Sequence, residues 1–122
     1  MFDPTIVDRA MRSEPATEQE LADAAALGPG DYEIFSENLL LMLQEGKEVM
    51  TKMGISSMLH SGDTLVAIFT ARGDLVSAVL GTYLHAVTGQ VPIKFILEEF
   101  AGDPSVGVRE GDVYYCNEAL YG

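Results

Sequence analysis

An α+β fold is predicted by three features of the sequence: an amphipathic stretch over residues 32–53, two short β-branched runs flanking Arg72-Gly73-Asp74, and an apolar segment led by Pro92. The first has helical spacing, the second reads as a β-hairpin, and the third as a further helix. The expected architecture is N-terminal helices, a β-hairpin, a helix and a further strand, completed by another segment or chain. At 122 residues one small domain is expected, in a size range where folding buries only part of the chain's surface, so a partner matters. Residues 1–30 read as a helical arm and residues 31–122 as the α+β module.

Taken in order, Asp3 and Pro4 form an N-cap and first-position pair that opens a helix over about residues 4–12. Thr17, followed three residues later by Glu20, has the capping-box form and predicts a second helix over about 18–27. Gly28-Pro29-Gly30 must end it. Asp31 caps the long helix, in which Phe35, Leu39, Met42, Gly46, Val49, Met50 and Met53 recur at three- and four-residue steps. That stripe is expected to pack in the core, with Gly54 at the left-handed position after the helix. Residues 56–63 read as a loop.

Residues 64–70 (TLVAIFT) are nearly all apolar, as in a strand buried on both faces. Arg72-Gly73-Asp74 is a tight turn rather than an adhesion motif, and residues 75–79 return beside the first strand. Residues 81–90 read as a glycine-flanked loop. Pro92 suits the first position of a helix whose Ile93, Ile96, Leu97 and Phe100 face inward. After a loop over 103–107, Val113-Tyr114-Tyr115-Cys116 reads as a short strand. An edge strand there implies that another segment or chain completes the sheet.

Nineteen acidic against seven basic residues give a formal charge of −12. Such a chain repels phosphate backbones and anionic membranes, so neither nucleic acid nor membrane is an expected partner. Cys116 is the sole cysteine, which excludes an intramolecular disulfide and suits a reducing compartment; it reads as a small core residue. The apolar runs are too short to span a bilayer and nothing resembles a signal peptide, so the expected location is cytoplasmic.

Little in the sequence alone points to chemistry. His60 and His85 are the only histidines, neither in a metal-binding spacing. His60 reads as a surface residue, whereas His85, in a loop after a buried strand, can face a substrate or metal site. Glu98 and Glu99 point about 100° apart on a helix and read as a solvated face rather than a facing carboxylate pair. No glycine pattern forms a phosphate cradle.

Three stretches carry a resemblance: residues 65–75 (LVAIFTARGDL), Tyr83-Leu84-His85 with Thr88 and Ile93-Lys94-Phe95, and residues 111–122 (GDVYYCNEALYG). From about Tyr32 onward the chain resembles the N-terminal region of the hydantoinase B / 5-oxoprolinase superfamily, in its acetone and acetophenone carboxylase branch. The family's histidine loop reads His-x-Gly-Ser/Thr-Met, and here Val87 and Gly89 stand where Gly and Met are expected.

The resemblance implies a component of a multisubunit ATP-dependent ketone carboxylase, inactive in isolation. It makes His85 a residue of the active-site loop, and Asn117 and Glu118 residues leading toward a metal site. The family's Gly-x-His-x-x-Asp metal motif follows the position of Gly122. The divalent metal and ATP are therefore expected on other segments or subunits, with no cofactor bound by this chain. Expected partners are other carboxylase or hydantoinase-type subunits and a small ketone or cyclic amide. Two alternatives stand beside this: a component of an ATP-dependent hydantoinase or 5-oxoprolinase, and a non-catalytic acidic interaction module.

Overall fold

Thr17 shows how the N-terminal part takes shape. Its hydroxyl accepts the Glu20 backbone N–H, and the Glu20 carboxylate accepts the Thr17 backbone N–H at 2.6 Å, which satisfies two donors that a helix start otherwise leaves open. In the computed structural model, which describes residues 4–117, this box opens α2 (Glu18–Ala26), preceded by α1 (Pro4–Ala10). The cap expected at Asp3 lies outside the described residues. The long helix α3 (Asp31–Met53) starts differently from expectation: Gly30, at φ 87°, is the cap, and Asp31 instead reaches back to the Gly28 backbone N–H at 2.8 Å. At its far end Gly54 has φ −75°, not a left-handed angle. Close packing explains this glycine, because a Cβ there would lie 2.3 Å from Leu59 Cδ1.

Residues 56–63 contain a single helical turn, α4 (Ser57–His60), capped by the Ser56 hydroxyl accepting from the Met58 N–H. His60 is exposed, as expected. Strands β1 (Leu65–Phe69) and β2 (Leu75–Leu80) pair antiparallel, Leu65 opposite Leu80 and Ala67 opposite Ala78, with an irregularity between Ile68 and Phe69. The 72–74 turn closes the hairpin with Gly73 at φ 85°. Helix α3 packs on the hairpin, with Gly46 facing Val66, whose Cγ1 a Cβ there would meet at 3.4 Å. Beyond the hairpin come α5 (Tyr83–Thr88), where a loop was expected, and α6 (Gln90–Phe100). Pro92 is the third residue of α6 rather than the first; its lack of an N–H costs nothing anywhere in the first turn.

Other expectations are corrected by packing. Every residue of β1 is half-buried, so neither face of that strand is sealed. On α6 the buried positions are Gln90, Val91 and Lys94, while Ile93, Ile96, Leu97 and Phe100 are only partly covered. The α3 stripe is not core: Leu43 is the buried residue of that helix, and Phe35, Met42, Val49, Met50 and Met53 are exposed. Residues 113–116 form no strand, and Cys116 is exposed. The arm is tied to the module through the hairpin turn. Arg72 donates to the Pro15 carbonyl at 2.7 Å and pairs with Glu20, Asp74 accepts the Glu14 N–H, and Lys94 donates to the Arg12 carbonyl. Arg9 meets Glu98 at 2.8 Å, keeping that glutamate on the solvated face expected of it.

Candidate functional site

The antiparallel hairpin necessarily brings the residue before β1 beside the residue after β2. Here that crossing is made by two glycines. A Cβ on Gly81 would fall 1.3 Å from the Gly62 carbonyl oxygen, and the Gly81 N–H donates to the Thr64 carbonyl at 2.8 Å. Only glycine permits so close a backbone approach. Asp63 and Thr82 are thereby neighbours, and α5, starting at Tyr83, places His85 on its first turn. His85 Nε2 lies 2.8 Å from Asp63 Oδ1, which also accepts from the Thr82 hydroxyl at 3.3 Å.

The pair sits at one end of a cavity of about 520 Å³ between β1 and the α5–α6 layer. Leu65, Ala67 and Phe69, alternate residues of β1, form one wall, and Gly89, Pro92 and Ile93 face them. A mostly apolar lining with a few polar groups is what a small organic ligand requires. A carboxylate only accepts hydrogen bonds, so the ring nitrogen facing it carries a proton, and in the neutral ring Nδ1 is then the acceptor. Asp63 thus fixes the tautomer of His85, and the free nitrogen can accept a proton or a hydrogen bond.

Of the expected site residues, His85 is joined to a cavity. Asn117 is exposed and lies in an irregular segment, and among the described residues no hydrogen bond, ion pair or cavity joins it to His85. Glu118 lies outside the described residues. Asp63 and Thr82 were not anticipated, although the hairpin register carried the signal. Among the described residues no three of His, Cys, Asp or Glu converge to hold a metal ion. No helix among them is long and apolar enough to cross a membrane.

Fold and site together define a small α+β module that presents one carboxylate–histidine pair to an apolar cavity. The chain belongs to the Hydantoinase B/oxoprolinase family, whose sequence profile matches residues 28–122. It is similar to the acetophenone carboxylase delta subunit of Aromatoleum aromaticum, with 39% identity over 112 residues. That alignment covers 92% of this chain and 16% of the relative, so the chain spans about one sixth of the relative's length. No solved structure matches it.

Proposed function

We propose that this chain works as part of a multisubunit ATP-dependent ketone carboxylase, to which it contributes the Asp63–His85 pair and the apolar cavity beside it. The observation that carries this reading is the pair itself: an oriented histidine at the polar end of an apolar cavity, in a chain aligned over 92% of its length with a carboxylase subunit. Leu65, Phe69 and Ile93 would hold the hydrocarbon part of a ketone. His85 Nδ1 would take the proton released from the carbon beside the carbonyl, making that carbon a nucleophile toward an activated carboxyl group. Residues 31–122 are the module that enters the assembly, with residues 1–30 as its arm. The divalent metal and ATP belong to other segments or subunits, Asn117 and Glu118 lead toward them, and the setting is cytoplasmic.

The test is ketone- and bicarbonate-dependent ATP hydrolysis by the complete assembly carrying His85→Asn or Asp63→Asn. Loss of a general base lowers kcat by roughly 100-fold or more. Asp63→Asn is expected to cost about 10-fold or more through misorientation of the ring. Wild-type turnover by His85→Asn would remove this residue from the reaction. The family also spans oxoprolinases, so the same assay with a cyclic amide in place of ketone separates amide hydrolysis from carboxylation. An assembly with neither activity would leave an acidic interaction module.

A further inference from the structure

Helix α3 has two apolar stripes, and the hairpin covers one. Leu40, Leu43 and Lys47 lie toward the strands. Beside them Phe35, Leu39, Met42, Val49 and Met53 recur at steps of four, three, seven and four, the spacing of a coiled-coil seam. Of these, Phe35 is 58% exposed, Met42 53%, Val49 49% and Met53 78%. At the N-terminal end the stripe runs into a groove of about 500 Å³ between Leu27, Tyr32, Phe35 and Val76. Scattered exposed apolar residues need no explanation, but a seam several turns long with a groove at its end does.

We infer that the outer stripe of α3 is the docking surface for an amphipathic helix from the part of the family fold that lies outside residues 1–122, with apolar residues at heptad spacing and Lys or Arg along its flank. Two observations choose this occupant. The relative is about six times longer than the aligned region, so most of it has no counterpart in this chain. Charge disfavours a second copy: each chain carries −12, and α3 itself holds five carboxylates against two lysines, with Glu45 beside the seam. The partner's flank is therefore basic. This inference rests on the family assignment and is independent of the ketone chemistry.

The experiment is methionine footprinting with dilute hydrogen peroxide, read by mass spectrometry, on the isolated chain and on the assembly purified through a tag on this chain. Met42 and Met53 are expected to oxidise about tenfold more slowly in the assembly, while Met58, 60% exposed on α4, serves as the off-surface reference. Carbodiimide is expected to link Glu45 to a partner lysine. Met42→Glu combined with Val49→Glu changes exposed positions, keeps the circular-dichroism spectrum of the chain, and weakens assembly about 100-fold or more. Equal oxidation of Met42 and Met58 in an intact assembly overturns the inference, as does wild-type assembly by the double variant. Protection in a homodimer, or a chain that is monomeric in its own cell extract, overturns it too. An assembly that protects the stripe but consumes no ATP with ketone would instead remove only the carboxylase reading.

Discussion

Gly81 leaves no room for a methyl group, and Gly81→Ala is expected to destabilise the chain by at least about 2 kcal/mol, because backbone must move to relieve the contact. Gly102, where an added Cβ would meet no atom within 4 Å and φ is not positive, is the control: Gly102→Ala should shift stability by no more than about 0.5 kcal/mol. Urea denaturation of the two variants checks both, and equal midpoints would contradict the crossing. At this scale the site was half legible. His85 stood out as one of two histidines, yet its partner was hidden because sequence distance separates Asp63 from it by 22 residues. Only the hairpin register closes that gap. The long helix misled for another reason: periodicity counts every apolar residue on a face, and α3 has two adjacent apolar stripes of which this chain covers one.

Among elements, the arm depends on the hairpin turn. Arg72→Ala removes the contacts to Pro15 and Glu20, and exposed pairs of this kind contribute up to about 1 kcal/mol each. Proteolysis within residues 13–30 is expected to quicken about fivefold while the hairpin stays protected; unchanged cleavage would mean that the arm is held elsewhere. Acid should act on the same clasp. Asp74 is held below the ordinary carboxylate range, first by the Lys94 side chain 2.6 Å away and further by the Glu14 N–H. A depressed carboxylate stabilises the fold fully above its unfolded value, near 4, and that contribution disappears as pH falls through the lower folded value. The urea midpoint should therefore hold steady from pH 7 to about 5 and decline below about 4. Asp74→Asn should lower stability at neutral pH and flatten that decline. The helices and the hairpin were readable from caps, turn residues and spacing. The six residues of α5 were not, because glycines on both sides resemble a loop and a helix this short has no room for a periodic signal. The strand expected over 113–116 had the composition of a strand, but the segment is irregular and joins neither edge of the hairpin.

For the whole molecule, any partner that binds only the folded chain also stabilises the fold. With few fully buried apolar side chains among the described residues, the isolated chain should unfold in a broad, low-temperature transition. A partner at 100 times its dissociation constant adds about 2.7 kcal/mol by mass action alone. Calorimetry of the chain with and without its assembly measures that shift, and a midpoint independent of partner concentration would argue against the linkage. The glycine crossing has a consequence for how such a cavity diversifies. Since main chain, rather than neighbouring side chains, holds Asp63 against His85, substitutions at Leu65, Phe69 or Ile93 can reshape the walls without disturbing the pair. A lineage could change which apolar group the cavity admits by drift at those three positions, with the Asp63–His85 contact inherited intact.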